Sequence, residues 1–330
     1  MIDSKDISVV VQGAIHPVLT KICLNSIRKA LPDSEIILST WKHSYINNLE
    51  FDILLENDDP GTFKLNATET CNVKRQILST IEGINLTKNK YILKIRSDIQ
   101  LLNSNFLNYF ELFDKYDEKY HFLQKRIIVA SQYTRDPKFF ECAMCPSDWI
   151  SFGLKDDMKT VWGGCNPSYD EENWFMNHRR SDNVYKYDCS LISKYNPEQY
   201  IWINFLKKFI PDIYTKDMFD INPDNIELTR KTFANNLIIL PDEKIKIKFL
   251  KKNRKYCDRY HVITYCHFLK LYNHYCNDNK PVPKFDFYKY KLFFKHFKYA
   301  HKRIWSIAIK NDLKQEYIEK ELKFVTNNII

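Results

Sequence analysis

Glycine is scarce in this chain, with six in 330 residues. Neither GxGxxG nor GxxxxGK followed by Ser or Thr occurs. That argues against a Rossmann dinucleotide site or a P-loop, both of which cradle phosphate on glycine-rich backbone. Long apolar runs are missing too: no stretch approaches the roughly 20 residues that a membrane-spanning helix needs. The first residues, MIDSKDISVVVQGAI, lack a basic segment followed by an apolar segment and a cleavage site, so no signal peptide is expected. Cysteines number nine, an odd count without the spacing of a disulfide framework. Reduced thiols in a cytosol fit that pattern better than an oxidised scaffold, and the sequons at Asn66 and Asn85 then carry no glycan.

Metal and redox motifs are thin as well. Cys142 and Cys145 form a CxxC, but a structural zinc site wants a second pair, and Cys165 and Cys189 stand singly. Pro146 directly after the motif argues against the helix opening of a thioredoxin-like site. His261, His267 and His274 are too widely spaced for a tight ligand set, and no GxSxG nucleophile motif occurs.

What is present begins with a core: hydrophobic residues make up 44% and aromatics 15%, which argues against wholesale disorder. The net charge of +9 is uneven. Residues 241–330 hold 21 Lys and Arg against 9 Asp and Glu, leaving 29 against 32 in residues 1–240. The expected organisation is therefore a near-neutral body, 1–240, and a basic, aromatic-rich helical C-terminal region, 241–330. Such a region suits an anionic membrane surface or a nucleic acid, and equally a solvated face without a partner.

Along the body, ISVVVQG (7–13) reads as a strand buried on both faces. HPVLTKICLNSIRKAL (16–31) follows as a helix with Pro17 at its first position. SEIILSTW (34–41) and FDILLEND (51–58) are further strands, ETCNVKRQILSTIEGI (69–84) a helix, and YILKIRSDI (91–99) a strand. The spacing in 103–116 predicts a helix, RIIVAS (126–131) a strand, and residues 132–195 a site-forming insertion. A helix over 196–209 starts legibly, with Asn196 as N-cap, Pro197 next and Glu198 in the first turn. Strands alternating with helices imply an α/β fold with a mostly parallel sheet flanked by helices. Ligands of such sheets gather at the carboxyl ends of the strands.

At one of those ends stand Arg96 and Asp98, which share a face of their strand because Ser97 points the other way. A carboxylate there can reach a divalent cation, which neutralises a diphosphate leaving group. Arg96 and Asp98 either pair with each other or divide a phosphate and a metal between them.

The blocks DISVVVQGAI, CLNSIRKALPDSEIILSTW, ENDDPG, NVKRQILSTIEGI and YILKIRSDI, with SDWISFG (147–153) and PEQYIW (197–202), resemble the WavE lipopolysaccharide-synthesis family over about residues 6–210. The resemblance implies a GT-A-like (Rossmann-like) glycosyltransferase that builds bacterial lipopolysaccharide or capsule from nucleotide-activated sugars. It also implies that RSD occupies the place of the DxD metal motif, so Asp98 would hold Mn2+ or Mg2+. Arg96 stands where that motif has its first acid and can itself supply charge to a diphosphate.

On that footing Gln12 and Gly13, at the end of the first strand, are expected to hold the nucleotide. Asp58, in the turn DDPG, and Asn72 and Arg75, on the following helix, are expected near the donor. Glu198 is the candidate general base for the acceptor hydroxyl, and Asp148, beside Trp149, the second carboxylate, with Asp156 and Asp157 on a turn nearby. The expected enzyme is cytoplasmic and peripheral at the inner face of the inner membrane. Its expected partners are a nucleotide-sugar donor, a lipid-linked or oligosaccharide acceptor and anionic lipid, not nucleic acid. Two rivals remain: a phosphoglycosyl or polyol-phosphate transferase on the same fold, and a nucleic-acid-binding protein that uses the basic region.

Overall fold

The computed structural model describes residues 2–61, 63–64, 70–138, 142–179, 192–251, 262–292 and 294. After a 3-10 turn at Ser4–Asp6, β1 (Ile7–Gln12) is buried along its whole length, as its β-branched run dictates. Helix α1 (Pro17–Ala30) starts at Pro17, with His16 Nδ1 accepting from the amides of Val18 and Leu19 at 3.3 Å each. It buries Thr20, Cys23, Leu24 and Ile27, one stripe at helical spacing. Strands β2 (Glu35–Trp41) and β3 (Ile53–Asn57) follow, then a short antiparallel pair, β4 (Phe63–Lys64) and β5 (Thr70–Cys71). Helix α2 (Val73–Leu86) packs so closely on β1 that a Cβ added at Gly83 would lie 2.4 Å from Val10 Cγ1. Strands β6 (Tyr91–Arg96) and β7 (Ile99–Leu101) flank the turn that carries Ser97 and Asp98.

Next come β8 (Ile127–Ala130), β9 (Ile150–Leu154) and α3 (Lys155–Trp162), then two single turns, α4 (Tyr169–Glu172) and α5 (Trp174–Asn177). Helices α6 (Pro197–Lys207) and α7 (Pro223–Asn236) lead into β10 (Leu237–Leu240). Beyond it lie α8 (Asp242–Ile245), β11 (Ile247–Phe249) and α9 (Tyr265–Tyr275).

The central sheet has seven strands in the order β10-β8-β9-β6-β1-β2-β3. Six run parallel, and β9 is antiparallel to both of its neighbours, β6 and β8. The expected mostly parallel α/β sheet flanked by helices is therefore present. The reversed β9 lies inside the stretch expected to be an insertion, and its direction matters. Its amino end, not its carboxyl end, reaches the ligand edge of the sheet, which brings Asp148 and Trp149 there.

Two local expectations differ from the structure. Phe106, Phe110 and Phe113 have helical spacing, yet only Asn105–Tyr109 forms a turn of 3-10 helix. Their rings serve as anchors instead. Phe106 and Phe110 pack on Phe152 at 5.4 and 5.1 Å, and Phe113 packs on Phe268 and Tyr272 at 5.1 and 4.9 Å. Asp156 and Asp157 open α3 rather than lie on a turn, and the Asp157 carboxylate accepts from the amides of Gln124 and Lys125 at 2.8 and 2.9 Å.

The charge step near residue 240 does not end the compact unit that holds the sheet. Among the described residues this unit continues through Lys251 and again from Val262 to Pro283. Strand β11 pairs antiparallel with β7, and α9 packs on α7, where Tyr275 Oη donates to Glu227 Oε2 at 2.9 Å. Alternating apolar residues in IKIKF and an apolar stripe on α9 cover the body, and their lysines stay outside. Residues 284–292 and 294 belong to a second unit, and most of the expected basic helical region lies outside the described residues.

Candidate active site

The carboxyl ends of β1 and β6 are tied together at Gly13 and Ser97. Gly13 turns the chain with φ 120°, a conformation that side chains with a Cβ rarely adopt, and its amide donates to Ser39 O at 3.1 Å. Ser97 donates through its amide to Gln12 O at 3.0 Å and through Oγ to Ala14 O at 2.9 Å. Gln12 is buried, and its side-chain oxygen accepts from Ser79 Oγ at 2.9 Å. That oxygen thus fastens β1 to α2, and the Gly13 backbone lies at the carboxyl end of β1.

Arg96 and Asp98 are paired, but across a turn rather than along one strand face: β6 ends at Arg96, and Asp98 lies in the turn before β7. Arg96 Nε and Nη2 donate to Asp98 Oδ1 and Oδ2 at 3.0 and 2.9 Å, a bidentate pair. A third residue joins them that the motif reading did not find: Lys251 Nζ lies 3.1 Å from Asp98 Oδ2. It arrives because β11 pairs with β7 and the Leu250 amide donates to Asp98 O at 3.2 Å. Burial alone would raise the Asp98 carboxyl, but Arg96 and Lys251 hold it well below the usual carboxylate range. Trp149 sits against the guanidinium, its ring centre 5.4 Å from Arg96 Cζ, and packs in turn on Phe249 and Tyr133 at 4.4 and 4.6 Å.

This arrangement does not fit a divalent cation at Asp98. Both carboxylate oxygens are already engaged by cationic donors, and no cluster of three His, Cys, Asp or Glu able to hold a metal occurs among the described residues.

Behind this mouth lies a second group of charges. Lys94, fully buried in mid-strand, donates through Nζ to the Asp148 carbonyl and lies 4.7 Å from the centre of the Trp162 ring. Burial pushes its ammonium down to about 8, against the attraction of Asp148. Asp148 and Glu198 line one narrow cavity with Ser147, Ser151, Trp162 and Trp202. Burial raises both carboxyls, Glu198 to about 8, with the Asp148 charge adding to the rise and Arg135 opposing it. Ser147 Oγ, Asp148 Oδ1 and Ser151 Oγ, on three residues that line the cavity, are buried without a hydrogen-bond partner among the described residues.

Glu198 is placed by its helix start. Asn196 caps α6, accepting from the Gln199 amide at 2.9 Å, and Pro197 occupies the first position, as the sequence predicts. The CxxC thiols serve that cap: Asn196 Nδ2 lies 3.2 Å from Cys142 Sγ and 3.5 Å from Cys145 Sγ.

A family model for WavE lipopolysaccharide synthesis matches residues 7–300. The chain belongs to the WavE lipopolysaccharide synthesis family. The match extends well past residue 210, where the recognisable motifs end, and takes in β11, Lys251 and α9 of this WavE chain. Two solved structures are similar over part of it. One is the 4-diphosphocytidyl-2C-methyl-D-erythritol synthase of Anaerococcus prevotii DSM 20548, at 10% identity and TM-score 0.31, covering 71% of this chain and 100% of that one. The other is a glycosyltransferase involved in glycosylating the major capsid of PBCV-1, at 12% identity and TM-score 0.24, covering 49% and 68%. The fold assignment of the WavE chain rests on its own strand order rather than on these. No curated protein sequence matches the chain.

The remaining expected donor residues form a separate cluster at the ends of β2 and β3. Asp58 is exposed and pairs with Lys42 at 2.7 Å. Its neighbour Asp59 accepts from Arg75 Nε at 2.6 Å and also from Nη2, and Arg75 lies 6.0 Å from the centre of the Trp41 ring. Asn72 precedes α2, its Oδ1 3.5 Å from Arg75 Nη1. Arg75 and Asn72 thus sit together as expected, and Asp59 rather than Asp58 is the acid that engages the arginine.

Proposed function

We propose that this WavE protein is a glycosyltransferase of GT-A-like fold. It transfers a sugar from a nucleotide-sugar donor to a bacterial surface glycan, in lipopolysaccharide, lipooligosaccharide or capsule. The observation that carries this reading is a cationic mouth, Arg96 and Lys251, at the ligand edge of a mostly parallel sheet, with the buried carboxyls of Asp148 and Glu198 close enough to Arg96 to favour its charge. Arg96 and Lys251 stabilise the charge that grows on the departing nucleoside diphosphate. A carboxylate takes the proton of the acceptor hydroxyl as its oxygen attacks the anomeric carbon. With its proton held to about 8, Glu198 has a base strength suited to that step near neutral pH. Asp148 and Glu198 are 5% and 9% exposed and line one cavity.

Among the described residues no helix is long and apolar enough to cross a membrane. Peripheral attachment to anionic lipid at the inner face of the inner membrane is part of the proposal. It is supported by exposed Phe285, Phe287, Tyr290 and Phe294 beside Lys284 and Lys289.

The test is a panel of nucleotide sugars offered to the purified full chain with a glycan acceptor. Release of nucleoside diphosphate from one donor, coupled to a mass gain of the acceptor by one sugar, is expected. Release of nucleoside monophosphate would indicate a phosphoglycosyl transfer instead, and no release from any donor would end the transferase reading.

A further inference from the structure

We propose that Arg96 and Lys251 themselves grip the donor's diphosphate where a divalent cation would otherwise sit, and that Asp98 is a positioning residue that aims the two cations. This rests on the transferase reading above and concerns how its donor is held.

Exposure supplies the first argument. The Arg96 and Lys251 side chains are 28% and 55% exposed, whereas the Asp98 side chain is 7% exposed. An anion arriving from solvent therefore meets the cations, and a cation arriving from solvent meets them too. To reach Asp98, a divalent ion would have to displace a bidentate guanidinium and an ammonium, adding two charges where two already converge. The local balance of Arg96, Lys251 and Asp98 is one net positive charge, which an entering diphosphate neutralises without further help.

Donor count and direction supply the second. A guanidinium has five N–H groups, of which Asp98 takes one on Nε and one on Nη2. The other three have no acceptor among the described residues, and the bidentate contact with Asp98 fixes the plane in which they point. Lys251 offers two N–H groups beyond the one directed at Asp98. A planar and a point cation converging on one carboxylate oxygen suit the two phosphates of a nucleoside diphosphate.

The third argument is how Lys251 is held. It is not a stray surface lysine, because the Leu250 amide is bonded to the carbonyl of Asp98 and the strand before it is paired with β7. The turn that carries Asp98 therefore carries Lys251 as well.

The experiment is calorimetric titration of the full chain with UDP, GDP and CDP, each in EDTA and again with Mn2+. One diphosphate is expected to bind in EDTA, with affinity changed less than about twofold by Mn2+ and falling as salt rises. Lys251→Met and Arg96→Gln are each expected to weaken it by about tenfold or more, Lys251→Arg to restore most of the loss, and Asp98→Asn to keep metal-independent binding in EDTA, weakened by less than either cation variant because the cations are no longer aimed. The unfolding temperature of Lys251→Met should stay at the parent value, since its side chain lies outside the core. Binding that requires Mn2+ and disappears in Asp98→Asn would make Asp98 a metal ligand and overturn the proposal while leaving the transferase reading intact. If no diphosphate binds under either condition, the donor reading itself fails and this proposal with it.

Discussion

Glu198→Gln removes a titratable proton from the first turn of α6 at nearly constant side-chain volume. In the folded protein Glu198 keeps its proton to about 8, against an ordinary value of 4.5. Between those values the unfolded chain has released the proton and the folded chain still holds it. Stability therefore falls as pH rises through the interval, and the loss is complete above about 8. At about 1.36 kcal/mol per pKa unit the full interval sets an upper bound of roughly 5 kcal/mol, most of it burial and part of it repulsion from Asp148. Lys94 acts in the opposite sense at higher pH. Its ammonium releases its proton near 8 when folded and near 10.5 when unfolded, so stability rises with pH between those values. The parent should show a stability minimum near pH 8. In Glu198→Gln the acid-side slope should flatten to what Asp148 contributes, leaving the variant about 3–5 kcal/mol more stable than the parent at pH 8 and equal to it near pH 4.5. Urea unfolding at pH 5 and pH 8 reads this directly. Transfer should fall by about 10²–10⁴ if Glu198 is the base, so stability and activity would move in opposite directions. Parallel pH profiles for the two proteins would refute the reasoning, because Glu198 would then not titrate in the folded chain near neutral pH.

Other outcomes follow from the same geometry. Asp98 has a depressed pKa, so its contribution is present above the ordinary value of 3.8 and is lost as pH falls below it; acid unfolding of Asp98→Asn should lack that limb when both proteins are followed by circular dichroism. Gly83→Ala should cost about 1–3 kcal/mol in chemical denaturation, since its Cβ would meet Val10 Cγ1 at 2.4 Å, and a neutral result would mean that α2 and β1 are not in this contact. Asn196→Ala should cost about 1 kcal/mol and lower transfer, because the cap that places Glu198 is gone; unchanged transfer would separate the helix start from the chemistry. Phe287→Asp should reduce sedimentation with phosphatidylglycerol vesicles, its ring being 77% exposed, and unaltered sedimentation would remove this segment from membrane attachment.

Much of the sheet was legible because its strands are continuous β-branched runs that read the same in any context. The start of α6 was legible for a different reason: Asn196 and Pro197 are local signals that need no tertiary partner. Where the partner decides the structure, local pattern failed. Phe106, Phe110 and Phe113 have helical spacing, but each ring answers to a different neighbour, and the backbone between them follows the rings. The reversal of β9 is invisible in ISFGL, since alternation does not encode direction. The neighbourhood of Arg96 and Asp98 was legible, but not its form: the expected strand 91–99 ends at Arg96, and Asp98 meets the guanidinium from the turn that follows. Lys251 was not legible, because it meets Asp98 only through pairing of β11 with β7, across 153 residues of chain. The alternating IKIKF was the available signal, and the surrounding lysines made it read as part of a basic tail.

The most direct measurement is a crystal structure of the full chain with the nucleoside diphosphate that binds most tightly. The account places phosphate oxygens within hydrogen-bond distance of Arg96 and Lys251, with Asp98 still bridging the two cations. A diphosphate seated instead on Arg75 and Lys42, at the ends of β2 and β3, would contradict it.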